Sequence, residues 1–150
     1  MAAQHERGAR NDLARRTGNV LSSAPTWAGT TSILIGDHIE NQGNADWLQA
    51  TAAMFGWEFG LLTAPDSAAA LARIGVPIVA IENASGAEDL FRFRPPDGPV
   101  AVVVGNERKG ISRSLLRRAD HVVQIPIAST TVNTLNVAAA AAVALYCQSR

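Results

Sequence analysis

The stretch Val102-Val-Val-Gly-Asn-Glu-Arg-Lys-Gly-Ile-Ser112 decides the reading of this chain. Three β-branched residues, preceded by Pro99-Val100-Ala101, make an apolar run with no polar alternation, as in a strand covered on both faces. Gly105 closes the run, and a glycine there lets another group approach the backbone closely. An amide, a carboxylate and two cations then crowd into the turn before Gly110. The spacing Gly-x-x-x-x-Gly is not a P-loop, because Ile111-Ser112 follows where Lys-Ser/Thr is required, and the dinucleotide glycine pattern is absent as well.

Similar segments flank this strand. "TSILIG" (31–36), "WEFGLLT" (57–63), "VPIVAIEN" (76–83) and "HVVQIPI" (121–127) read as strands. "NADWLQATAAMF" (44–55) reads as a helix carrying Trp47, Ala50 and Met54 on one face. A helix from 67 to about 74 stops at Gly75, "GAEDLF" (86–91) reads as a helical turn, and "SRSLLRRA" (112–119) as a helix with Ser112 at its N-cap. After a polar loop, 128–134, Leu135 begins an Ala-rich final helix, with Asn136 in its first turn and Asn133 or Thr134 as its cap. Alternation of strands and helices, with apolar inner strands, predicts an α/β fold. Its sheet is mainly parallel with helices on both faces, and ligands bind such sheets at the carboxyl ends of the strands. Residues 1–30 form an N-terminal extension, partly helical or flexible, ahead of a domain over 31–150.

Composition narrows the function classes. The 150 residues are 47% apolar and 17% charged, with zero net charge. Residues 1–16 are net positive, 17–106 net negative and 107–150 net positive, so the basic ends leave room for a phosphate-facing patch without bulk affinity for nucleic acid. No apolar run is long enough for a membrane span, and MAAQHERGAR lacks the apolar core of a secretion signal. These features predict a cytoplasmic protein with no membrane partner. The single cysteine, Cys147, excludes an internal disulfide and reads as a buried, inert thiol. His5, His38 and His121 have no ligand spacing, so no metal is expected.

Three segments together, "VGNERKGIS", "VVQIPI" and "TLNVAAAAAVALY", resemble the second and third signature motifs of the SpoU-like (TrmH-type) RNA 2′-O-ribose methyltransferases of the SPOUT superfamily. The resemblance covers roughly residues 31–150. It implies a C-terminal trefoil knot, a homodimer and S-adenosylmethionine as cofactor. It implies cofactor contacts from Ile81, Gly105, Gly110, Ile125, Ile127, Thr134 and Leu135, with catalytic positions at Asn41, Glu107 and Asn136. The expected substrate is RNA, either tRNA or rRNA, with Arg108, Lys109, Arg113, Arg117 and Arg118 facing phosphate.

One element departs from the family pattern. The first family motif is Asn-x-Gly followed by an arginine on the next helix, which assists the ribose hydroxyl. Anchoring "ENQGNADWLQATAAMFGW" on Asn41 puts Trp47 at the arginine position, and anchoring on the downstream residues puts Ala50 there, with Asn44 leading the motif. No arginine lies between Arg16 and Arg73. Three readings follow: Arg15 or Arg16 substitutes in an RNA methyltransferase; the enzyme methylates a small molecule beside Trp47; or the chain is a non-catalytic dimer that binds RNA or cofactor.

Overall fold

The computed structural model describes residues 29–63, 67–129, 131 and 135–149. The N-terminal extension, including Arg15 and Arg16, lies outside the described residues, as do Asn133 and Thr134. Elements run β1 (Ile33–Asp37), α1 (Gln42–Met54), β2 (Glu58–Leu62), α2 (Ser67–Leu71), β3 (Ile78–Ile81), β4 (Glu88–Asp89), β5 (Ala101–Val104), α3 (Arg113–Arg118), β6 (His121–Gln124) and α4 (Val137–Gln148). The six described strands form one sheet in the order β2-β1-β5-β3-β6-β4. Every pairing in it is parallel.

The strands are apolar throughout because each side chain enters one of two cores. Leu34, Val79, Ile81, Val102, Val104 and Val123 point toward α1 and α4, where they meet Leu48, Ala52, Ala144 and Leu145. The alternate residues Ile33, Ile35, Ile78, Ala80, Ala101 and Val103 point toward α2 and α3, against Leu71 and Leu115. The period of two along each strand thus serves both faces.

Local chemistry sets the element ends. Asn41 caps α1, its Oδ1 accepting the Asn44 N–H at 3.0 Å, so the helix opens at Gln42 rather than at Asn44. Ser112 precedes α3 in extended conformation, but its side chain makes no capping bond. Its N–H instead donates to the buried carboxylate of Asp37 at 3.3 Å, which ties the end of β1 to the start of α3. Gly75, at φ +71°, makes the left-handed step after the α2 turn.

Two further expectations are corrected, and the side of α1 that faces the core is settled. "GAEDLF" is not a helical turn: Glu88 and Asp89 add a sixth strand beside β6. The helical turn comes just after, where the Phe93 N–H reaches the Asp89 carbonyl at 2.9 Å. The Leu90 N–H bonding to Gln124 O at 2.9 Å and Gln124 Nε2 bonding to Ala87 O at 3.2 Å hold this short edge in the sheet. The α1 face bearing Trp47, Ala50 and Met54 points outward, while Ala45, Leu48, Thr51 and Ala52 face in. Small residues on that inner face let α1 lie close to the sheet and to α4. Cys147 is half-buried rather than buried.

Replacing Leu145, which is fully buried between α4 and the sheet, by Ala should lower stability by about 2–5 kcal/mol, whereas Gln49→Ala on the exposed side of α1 should cost less than about 1 kcal/mol. Urea denaturation of the two variants beside the unmodified chain checks this.

Candidate functional site

The parallel sheet presents the ends of β3, β5 and β6 together, and the first turn of α4 closes over them. A cleft of about 470 Å³ lies there. Ile81, Gly105, Gly110, Ile125, Ile127 and Leu135, all singled out from the sequence, line it. Glu107, Asn136 and Arg108 join them at its polar side. Thr134 lies outside the described residues.

The turn after β5 is shaped by Asn106, which sequence reading passed over. This residue is buried. Its Oδ1 accepts the N–H groups of Arg108 and Lys109 at 2.9 and 3.0 Å, and its Nδ2 donates to the His38 carbonyl at 2.7 Å. Its backbone exchanges two hydrogen bonds with Gly110. The five-residue turn is therefore a closed loop anchored to the end of β1. His38 sits at φ 54°, the one non-glycine residue with a positive φ among the described residues. That local turn aims its carbonyl at Asn106.

What approaches Gly105 is first of all the chain itself. A Cβ on Gly105 would come within 2.4 Å of the Gly110 carbonyl carbon and 2.5 Å of the Ile111 nitrogen. The glycine lets the loop fold back on its own backbone, and the loop so formed makes one wall of the cleft.

Glu107 projects from the loop toward the start of α1. Its carboxylate accepts the N–H groups of Glu40 and Asn41 at 3.3 and 3.2 Å and the Asn44 side-chain amide at 3.0 Å. Asn44 Oδ1 in turn accepts from Asn136 Nδ2 at 3.2 Å, and Asn136 Oδ1 caps α4 through the Ala138 N–H at 2.9 Å. Glu107, Asn44 and Asn136 therefore form one chain of hydrogen bonds across three segments distant in sequence. Partial burial alone raises the Glu107 pKa; the Asn44 amide and the backbone N–H donors outweigh it and hold the carboxyl below its ordinary 4.5. Arg108 turns away to Glu40 at 2.6 Å, and that hydrogen bond holds the Glu40 carboxyl low as well.

The other expected residues fall elsewhere. Asn41 acts through its cap, and Asn44 occupies the position in the network that Asn41 was expected to hold. Trp47 is 65% exposed and so is not a core residue; it lines a shallow depression shared with Asn44, Asn136 and Met54. Arg113 is exposed at the start of α3 and lines neither cavity. Among the described residues, no cluster of three or more His, Cys, Asp or Glu side chains could hold a metal ion. The signal for Asn44 was present in the sequence, since one of the two motif registers begins there; for Asn106 only the Asx-turn propensity of asparagine pointed the way.

A parallel α/β sheet with a cleft at its strand ends, walled by the Gly105–Gly110 turn and by the amides of Asn44, Asn83 and Asn136, defines the class of fold. The comparisons specify it. The chain belongs to the SpoU rRNA methylase family, whose model matches residues 62–146. It is 46% identical over 52 residues to an uncharacterized tRNA/rRNA methyltransferase of Archaeoglobus fulgidus, a stretch of 35% of this chain and 23% of that protein. The matched stretch thus spans less than a quarter of that relative's length. The fold is similar to that of the AdoMet-bound rRNA methyltransferase from Sinorhizobium meliloti, with a TM-score of 0.68 at 21% identity over 78% of this chain and 55% of the other. A protein solved for the 2-OH methylation of C/U34 on tRNA superposes with a TM-score of 0.64 at 25% identity, over 85% of this chain and 91% of its own.

The depressed Glu107 pKa has a definite sign in stability. Its contribution is fully present above the ordinary carboxylate value of 4.5 and is lost as pH falls through the lower folded value. The stability difference between the unmodified chain and Glu107→Gln should therefore shrink on acidification below about pH 4.5. Urea midpoints measured from pH 7 to pH 3 check this; a difference independent of pH would mean that the charge of Glu107 does not anchor the 40–44 segment.

Proposed function

We propose that this chain is an S-adenosylmethionine-dependent methyltransferase that acts on the 2′-hydroxyl of an RNA ribose. In this reading it is a cytoplasmic homodimer whose 31–150 domain ends in a trefoil knot. The observation that carries the reading is the convergence of Ile81, Gly105, Gly110, Ile125, Ile127 and Leu135 on one cleft in a member of this family. The cleft suits the donor chemically. Ile81, Ile125, Ile127 and Leu135 offer apolar surface for a nucleoside, and the amides of Asn44, Asn83 and Asn136 offer polar partners at the rim. When bound, S-adenosylmethionine supplies an electrophilic methyl group.

The chain's own residues bind and position. The Glu107 carboxylate, engaged by three donors and held ionised, is a poor base and acts by fixing Asn44 beside Asn136. Those two amides stand where the cleft meets the Trp47 depression, so an acceptor resting on Trp47 would lie next to the donor site. In this reading, assistance to the hydroxyl comes from a cation. Among the described residues lining the cleft the cations are Arg108, drawn off by Glu40, and Lys109. Arg15 or Arg16 of the N-terminal extension, from either subunit, is the assignment for that role. Arg117 and Arg118, exposed on α3 beside Arg113, supply phosphate contacts.

Two features support the finer parts of the reading. After β6 the chain returns to pack α4 against α1 and the strands β5 and β3, which agrees with a C-terminal knot. Met54 on α1 and Val143 and Tyr146 on α4 are 71%, 41% and 61% exposed, and such an apolar face suits a second copy of the chain. No described helix is long and apolar enough to cross a membrane. A second reading, a small-molecule acceptor, is favoured by the exposed Trp47 ring and the absence of net charge.

Calorimetry should show the unmodified chain binding S-adenosylmethionine, and absence of binding would leave a non-catalytic dimer. Methyl transfer to total RNA should fall about 100-fold when Arg15 and Arg16 are both replaced by Ala. Survival of activity in that double variant would remove the arginine assignment, and transfer to no RNA at all would favour the small-molecule acceptor. Tyr146→Glu should convert a dimer to a monomer, read from the mass in solution by light scattering; an unchanged mass would place the interface elsewhere.

A further inference from the structure

Glu82 follows β3 and lines the same cleft. Its Oε2 accepts the Ile111 N–H at 2.8 Å. A Cβ on Gly110, at φ +68°, would stand 2.7 Å from Oε2 and 3.0 Å from Oε1. The carboxylate is thus laid along the bare Gly110 backbone, half-buried and fixed in place. The other carboxylate of this wall, Glu107, is turned to the 40–44 segment. Arg108 is held by Glu40 at 2.6 Å, and among the described residues Glu82 forms no ion pair. A carboxylate held on the cleft wall with no protein counter-ion among the described residues attracts a positively charged ligand.

We propose that Glu82 makes the cleft select a cationic ligand, so that the sulfonium methyl donor is held in preference to its neutral thioether product. The inference rests on the donor reading above. At neutral pH S-adenosylmethionine carries a sulfonium, an ammonium and a carboxylate, a net charge of about +1, whereas the thioether product has lost the sulfonium and is neutral overall. Adenine, ribose and amino-acid groups are common to both, so contacts to them cannot tell donor from product. A fixed carboxylate can, because attraction of one additional unit charge across several ångströms of half-exposed wall corresponds to a preference of about three- to tenfold. The consequence is a site that sheds its product rather than retaining it.

The test is calorimetry on the full chain and on Glu82→Gln, which keeps an oxygen for the Ile111 N–H and loses the charge. Three ligands serve: S-adenosylmethionine, S-adenosylhomocysteine and sinefungin, an analogue that carries an amine in place of the sulfonium and so keeps the positive charge. The ratio of the S-adenosylhomocysteine Kd to the S-adenosylmethionine Kd should fall about three- to tenfold in Glu82→Gln, with sinefungin following the donor. In the unmodified chain the same ratio should fall as salt is raised, a measurement that needs no variant to fold. Equal weakening of all three ligands in the variant, or a ratio insensitive to both substitution and salt, would overturn the proposal while leaving the donor reading intact. Failure of the unmodified chain to bind any of the three would overturn the donor reading itself and this proposal with it.

Discussion

The site depends on one carboxylate. Glu107 gathers two backbone N–H groups before α1 and the amide of Asn44 within it, and through Asn44 it reaches Asn136 at the head of α4. With the Asn106–His38 bond and the Arg108–Glu40 pair, it joins the segment before α1 to the turn after β5, and through Asn44 to the first turn of α4. A charged acceptor facing several donors is held by their combined directional pull, even where, as here, each bond is 3.0 to 3.3 Å long. It fixes relative position in a way that apolar contact does not.

Beneath that network, the turn from Gly105 to Gly110 is rigid for reasons internal to it. Asn106 spends its side chain on two N–H groups of its own loop and on the His38 carbonyl, and Gly105 yields the space its Cβ would take to the backbone of Gly110 and Ile111. The two glycines therefore act on different neighbours: Gly105 admits backbone, and Gly110 admits the Glu82 carboxylate. Both adjustments press polar groups onto the cleft wall while the valines of β5 stay buried behind them. The result is a pre-formed wall, which lowers the ordering cost of binding a flexible ligand.

The features that local spacing left open share a cause. The Trp47, Ala50 and Met54 face of α1 was legible as a face, but which side of a helix turns inward is settled by what it packs on. Close approach of α1 to α4 and the sheet selects Ala45, Leu48 and Ala52. A two-residue strand such as Glu88–Asp89 has no periodicity to detect and exists because β6 offers an unpaired edge. Asn41 and Asn44 are both asparagines with plausible roles at one helix start. Only the distance to Glu107 and Asn136 assigns the cap to one and the relay to the other.

Apolar runs, glycines and turn residues determined by themselves that this chain builds a mainly parallel α/β sheet and where its strands end. Those are local properties, written in the spacing of a few neighbours. The tertiary structure decided which carboxylate faces which amide, which backbone fills the space at Gly105, and that Glu82 stands on the cleft wall. Each of these is a contact between segments tens of residues apart, and hydrogen bonds are formed or lost over fractions of an ångström that no spacing along a chain encodes.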